Sequence, residues 1–182
     1  MTATADLWAI GYNDMHRADE IREEIVRLGW DTHYLILLDV AVVVRRSDGS
    51  FTFDRKPLPA LANILGGSIL GFLAGLVVAA PLPGVAVGAL VGGASAAAAL
   101  TSAGIGNEFV REVEEMMKPG TSALFVLADK GDMEVILHNI QGLGGTVFKT
   151  NVDLEQAKLV QSTLAAAATD AVESGDKQDK KR

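Results

Sequence analysis

Short apolar runs and one amphipathic helix open the chain. "LWAIGY" (residues 7–12) is an apolar run containing a glycine, which predicts a buried strand. Asn13 or Asp14 can cap the helix that follows, and Gly29 can end it. The apolar positions of this helix recur with helical spacing at Ile21, Ile25 and Leu28.

The pattern then changes from helical spacing to extended apolar runs. "DVAVVVRR" (residues 39–46) and "SFTFDR" (residues 50–55) flank Ser47-Asp48-Gly49. Glycine tolerates the positive φ of a tight turn, so these two runs predict a β-hairpin.

A second amphipathic helix is predicted over residues 108–118, and Pro119-Gly120 stops it. Its apolar face consists of Phe109, Val110, Val113 and Met117.

The rest of the chain continues the alternation of strands and helices. A strand is predicted at residues 122–128, a short helix at 132–141 and a strand at 145–150. An alanine-rich helix is predicted at 153–173, and residues 174–182 are charged and free of apolar residues, which predicts a disordered tail.

A weak internal repeat suggests the architecture. "LWAIGY", a helix and "RLGWDT" resemble "LFVLAD", a helix and "GLGGTV". Two such β-α units predict an α+β fold, a ferredoxin-like sandwich with an antiparallel sheet and helices on one face. Its two parts are residues 6–56 and 108–152, and an inserted helical hairpin interrupts them.

The predicted insertion, residues 57–107, contains no ionisable side chain. Helices of about 20 residues are predicted near 60–80 and 84–105, and each is long enough to cross a hydrocarbon core of about 30 Å. The turn at 80–84 carries two prolines that forbid one continuous helix, Pro81 and Pro83.

Glycines recur at every fourth position in both predicted helices, which aligns them in a stripe along one helical face. Small residues let helix backbones approach closely, so we expect these stripes to pack against each other or against a neighbouring copy of the chain. The helix-packing residues are Gly67, Gly71 and Gly75 in the first helix, and Gly84, Gly88, Gly92 and Ala96 in the second.

We expect this segment to insert into a membrane. Glycine costs roughly 0.8–1.0 kcal/mol relative to alanine in an aqueous helix, whereas a bilayer enforces backbone hydrogen bonding. Two alternatives stay open: a hairpin buried in a soluble oligomer, because the second half is rich in alanine and glycine, or a structureless linker. The positive-inside rule places both termini in the cytoplasm, because the basic residues flank the segment and none lies in its turn.

Composition and charge narrow the possible functions. The 182-residue chain has a net charge of −7, which argues against binding to nucleic acid. It has no cysteine, so no disulfide, thiolate nucleophile or cysteine-type zinc site is possible.

No motif predicts catalysis, a metal or a cofactor. The three histidines, His16, His33 and His138, are isolated in the sequence. "GGSILG" (residues 66–71) lacks the Gly-Lys-Ser/Thr ending of a phosphate loop, and no serine occupies a nucleophile elbow. We therefore expect a protein that is not an enzyme.

Several quoted segments together resemble a known family. These are "LWAIGYND", "LLDVAVVVRRSDG", the glycine-striped hairpin, "GIGNEFVREVEEMMKPGTSALFVLADK" and "GGTVFKT". As a set, over residues 6–160, they resemble a bacterial family of small proteins of unknown function, commonly described as membrane proteins. The resemblance implies a cytoplasmic α/β domain interrupted by a membrane-directed hairpin, located at the bacterial inner membrane, with no catalytic residues to transfer.

The leading hypothesis is a non-enzymatic, membrane-anchored, self-associating protein whose partners are the lipid bilayer and further copies of itself. Its cytoplasmic α/β domain would serve assembly or bind a protein partner that the sequence does not identify. Alternatives are a soluble oligomeric assembly protein with the hairpin in its core, a ligand-responsive regulatory module, and a pore.

Overall fold

The computed structural model describes residues 4–32, 35–54, 73–75, 77, 96–131, 138, 144–157, 159–160 and 162. The elements in chain order are β1 Thr4–Tyr12, α1 Arg17–Thr32, β2 Leu35–Arg45, β3 Phe51–Asp54, α2 Ala96–Ser102, α3 Asn107–Met116, β4 Thr121–Gly131 and β5 Thr146–Asp153.

One five-stranded antiparallel sheet organises these elements, in the order β3-β2-β4-β1-β5. The central strand, β4, pairs with β1 on one side and with β2 on the other. Because both of these pairings are antiparallel, β1 and β2 run in the same direction, and α1 connects them past the intervening β4. The predicted α+β class with an antiparallel sheet is confirmed.

One face of the sheet packs against α1. Alternate side chains of β1, β2 and β4 form this layer with three apolar residues of α1, and all are buried. The α1 residues are Ala18, Ile21 and Ile25.

The other face of the sheet is also covered, which differs from the prediction of helices on one face. The remaining side chains of β1, β2 and β4 form a second core with α2, α3 and three residues near position 75. Since β1, β2 and β4 carry apolar residues on both faces, both must be shielded from water, and this explains their uninterrupted apolar runs.

Local signals in the sequence correspond to the observed turns. Gly49, in the β2–β3 hairpin, and Gly120, before β4, have φ values of 85° and 87°. α3 buries Phe109, Val110 and Val113 as predicted.

Arg22 of α1 is a charged residue that is buried in the fold. It is only 2% exposed and its guanidinium reaches Asp54 at the end of β3, at 3.3 Å. α1 and the end of β3 are therefore joined by an ion pair.

Much of the predicted hairpin, the helix at 132–141 and the disordered tail lie outside the described residues. Of the C-terminal helix, residues 154–157, 159–160 and 162 are helical. The domain boundaries and the ferredoxin-like arrangement of two units therefore stay predictions.

Candidate functional site

The described part of the first predicted hairpin helix lies against the sheet. Leu73 and Ala74 are fully buried and Val77 is 1% exposed, and all three belong to the core on the α3 side. Burying a large aliphatic side chain stabilises a fold by roughly 1.5–3 kcal/mol. These positions therefore contribute to the folded domain.

The end of the second predicted hairpin helix packs in the same core. Ala99, Leu100 and Ala103 are buried, and the amide of Asp153 in β5 donates to the carbonyl of Ala103 at 2.9 Å. Gly104, with φ of 85°, makes the turn that brings this carbonyl to the strand. The segment is thus connected to the sheet edge by a backbone hydrogen bond.

Two of the predicted helix-packing residues are described. Gly75 is helical and half-buried, and a Cβ built on it would meet no described atom within 4 Å. Ala96 begins α2. The others, and both prolines of the predicted turn, lie outside the described residues: Gly67, Gly71, Gly84, Gly88, Gly92, Pro81 and Pro83.

Among the described residues, no helix is both long and apolar enough to cross a membrane.

A cleft of about 660 Å³ opens where β1 ends, between α3 and the start of β5. Its floor includes Gly11 and the side chain of Met116, which crosses directly over that glycine. A Cβ at position 11 would lie 2.0 Å from the sulfur of Met116, so the Met116 side chain would have to move to make room for any larger residue. Charged side chains surround the opening: Asp14, Arg17, Glu112, Glu115 and Lys118.

Tyr12 forms one wall of the cleft and is 6% exposed. Its hydroxyl is buried and has no hydrogen-bond partner among the described residues. Burial raises the pKa of Tyr12 to about 12, and the nearby charge of Arg17 opposes this shift. The phenol is therefore neutral at physiological pH.

Asn13 and Asp14 are the two residues predicted as possible caps of α1, and Asp14 is the one that caps it. Its Oδ1 accepts hydrogen bonds from the amides of His16 at 2.7 Å and Arg17 at 3.0 Å. The bond from the His16 amide is the main cause that lowers the pKa of this carboxyl group. Oδ1 of Asp14 thus stabilises the start of the helix.

The charged residues around the cleft could bind charged groups of a ligand. Glu112 and Glu115 can pair with ligand cations, and Lys118 with ligand anions. Over the part of the chain that the structure describes, no group of three or more possible metal ligands comes together. His16 and His138 are exposed, and His33 is outside the described residues.

Sequence reasoning did not identify this cleft. Its residues come from three separate segments of the chain, 11–17, 112–118 and 144–148, and none of the segments carries a recognisable motif. The glycine at position 11 within an apolar strand was the single local signal, since an isolated strand glycine marks a close approach.

Comparison with known proteins gives a family but no relative of known function. No curated protein and no solved structure matches the chain. The sequence profile of DUF1269, described as a protein of unknown function, matches residues 64–165, which is more than half of the 182 residues. The chain belongs to the DUF1269 family of proteins of unknown function.

Proposed function

We propose that the protein is a non-enzymatic, self-associating protein in which the apolar segment 57–107 organises an assembly. One side of this segment covers the sheet, and its glycine stripe is available to a second copy of the chain. The observation that carries the proposal is that Leu73, Ala74 and Val77 are buried against the sheet, while a Cβ built on Gly75 between them would meet no described atom within 4 Å.

The direction of the first stripe follows from helical geometry. At about 100° per residue, Leu73, Ala74 and Val77 fall within an arc of about 100°, and Gly75 lies about 200° from Leu73. In a regular helix over the predicted residues 60–80, Gly71 lies about 40° from Gly75 and shares its side, whereas Gly67 lies about 80° from Gly75 and beside the direction of Ala74. A stripe on that side points away from the sheet, where another helix can approach it.

The strand order supports the ferredoxin-like prediction as part of this proposal. β4 lies between β1 and β2, which is how the first β-α-β unit of such a fold is split by a strand of the second. In the chain, the apolar segment lies between β3 and β4, and this proposal keeps the predicted hairpin at that place.

Membrane anchoring is the second candidate, favoured by the absence of any ionisable residue between Lys56 and Glu108. A spanning helix needs about 20 residues in lipid. With Leu73 and Val77 in the protein core, the predicted helix 60–80 does not have that length available. The packing therefore favours a hairpin on the sheet over a hairpin that crosses the bilayer.

Fractionation of the expressed full-length protein separates these two candidates. We expect carbonate washing to release the protein from membranes, and the released protein to form an oligomer in size measurements. Retention through carbonate, with release by detergent, would establish the membrane anchor at the inner membrane and overturn the packing role.

Self-association through the stripe is tested by Gly75→Leu in sedimentation velocity. Because no described atom lies near the new side chain, we expect the variant to fold. We expect it to form a smaller oligomer than the natural chain. Gly106→Leu is the matched control, since a Cβ there also meets no described atom within 4 Å and it lies outside the stripe. Unchanged association in Gly75→Leu would exclude this interface.

A ligand-responsive module is a further candidate that the cleft at the end of β1 favours. A small molecule carrying both an amine and an acid group would match Glu112, Glu115 and Lys118. A thermal-shift screen of such molecules tests it, with a Glu112→Gln variant as control. No shift in melting temperature for any of them would count against this role.

A further inference from the structure

The two edges of the sheet are unequal. β3 forms one edge with four residues, and β5 forms the other with eight. Four exposed residues, Thr146, Val147, Lys149 and Asn151, lie along β5. A long exposed edge presents unpaired backbone groups that favour pairing with another strand.

The hydrogen-bonding direction along β5 can be assigned. The amide of Asp153 donates to Ala103 rather than to β1, so it points away from the sheet. Backbone direction alternates along a strand, so the amides and carbonyls of Val147, Lys149 and Asn151 also point outward. The Ala103–Gly104 turn covers the end of β5 near Asn151 and Asp153, which leaves the open edge at residues 146–150.

Lysine on an edge strand commonly blocks pairing, but Lys149 is held back over the sheet. Its Nζ lies 2.9 Å from Oδ2 of Asp6 and 4.9 Å from the centroid of the Trp8 ring. Beside it, Val147 is an apolar side chain that is 38% exposed. The open edge thus offers backbone groups and an apolar residue instead of a projecting charge.

We propose that β5 pairs with β5 of a second copy of this chain, antiparallel and about a twofold axis at Phe148. An antiparallel edge is complementary to itself under a twofold rotation, which identifies the occupant as the same chain. Because the Ala103–Gly104 turn covers the end of β5 near Asp153, the twofold axis cannot lie closer to that end. Residues 146–150 of one copy must therefore pair with residues 146–150 of the other. Val147 of each copy then exchanges hydrogen bonds with Lys149 of the other.

This interface rests on the proposed self-association but uses a surface distinct from the glycine stripe. At the axis, the two Phe148 residues form a non-hydrogen-bonded pair with Cα atoms about 4.5 Å apart. Phe148 is half-buried beside the α3-side core, and pairing covers more of its ring. The two three-layered domains would share one ten-stranded sheet.

Cysteine cross-linking tests the register, since the natural chain has no cysteine. In Phe148→Cys the two sulfurs fall within disulfide range, about 4.4–6.8 Å between Cα atoms. In Asn151→Cys, each residue is three positions from the axis and the pair is about 20 Å apart. We expect rapid oxidation to a covalent dimer for the first variant and at least tenfold slower oxidation for the second. Equal rates, or no dimer from Phe148→Cys, would overturn the proposal.

Val147→Pro gives an independent measurement in sedimentation velocity. Proline removes the outward amide without removing a hydrogen bond to β1, so we expect a folded chain with association about tenfold or more weaker. Phe53→Pro makes the same change on the β3 edge and should leave association unchanged. If Gly75→Leu weakens association and Val147→Pro does not, the glycine stripe is the interface and the proposed β5 pairing is wrong. If Val147→Pro weakens association and Gly75→Leu does not, the β5 pairing is supported and the stripe is not an interface.

Discussion

Gly11 shows how one residue without a side chain determines local packing. The side chain of Met116 on α3 lies directly over this glycine of β1, in the space that a Cβ at position 11 would need. The cleft opens beside this contact.

Replacing Gly11 by alanine should destabilise the protein. The added Cβ would lie 2.1 Å from Cγ of Met116, and overpacking of this kind costs about 1–3 kcal/mol. Urea unfolding measures the loss, with Gly106→Ala as the control in open space. In a protein that also carries Met116→Ala, Gly11→Ala should lower the free energy of unfolding much less. If Gly11→Ala causes the same loss with and without Met116→Ala, the contact with Met116 is not the cause of the loss.

Tyr12 should make the protein sensitive to alkaline pH. Its pKa is raised to about 12 in the folded state, whereas an unfolded tyrosine ionises near pH 10. Between these values the unfolded chain loses the proton first, so the Tyr12 contribution to stability is complete below pH 10 and declines as pH rises toward 12.

Tyr12→Phe separates this effect from general alkaline unfolding. The hydroxyl has no partner, so we expect the variant to be at least as stable as the natural chain at pH 7. Its stability should fall less steeply between pH 10 and 12. Identical pH profiles for the two proteins would contradict the assignment.

At the scale of elements, a single hydroxyl joins the start of α1 to the central strand. The Oγ of Ser122 on β4 accepts from the amide of Ala18 at 3.2 Å and donates to the carbonyl of Asp14 at 2.5 Å. Ser122 and Ala18 are both fully buried, so water cannot replace the hydroxyl as the acceptor for the Ala18 amide.

Ser122→Ala should therefore lower the free energy of unfolding by about 1–3 kcal/mol, the usual cost of unsatisfied buried polar groups. Denaturant unfolding checks this value. Ser50→Ala, an exposed residue of the β2–β3 hairpin, is the control and should change stability by no more than about 0.5 kcal/mol. If Ser122→Ala and Ser50→Ala lower the free energy of unfolding equally, the hydrogen bonds of Ser122 do not stabilise the contact between α1 and β4.

The elements differ in how well sequence predicts them. β1, β2 and β4 are identified by apolar runs, and α3 by its periodic face, because these patterns report burial directly. The prediction that helices cover only one face of the sheet was wrong. An apolar run indicates that a strand is buried on both faces, but it does not indicate which element covers each face. Here α2, α3 and Leu73 cover the second face.

At the scale of the whole molecule, the candidate cleft depends on contacts between distant segments, so no local pattern predicts it. The glycine stripe is the opposite case: its spacing is visible in the sequence, but spacing alone does not state which helix or copy approaches it. The buried residues Leu73 and Val77 show which side of the first helix faces the sheet, and Gly75 lies on the opposite side.

The central claim is that the apolar segment is part of the folded domain, and paired aspartate substitutions test it most directly. Leu73→Asp places a charge in the core, and Gly75→Asp places the same charge on the open side, two residues away. We predict that thermal and urea unfolding of the full-length chain will show severe destabilisation for Leu73→Asp and a native-like transition for Gly75→Asp. Native-like unfolding of both variants would contradict the claim and place the segment outside the core.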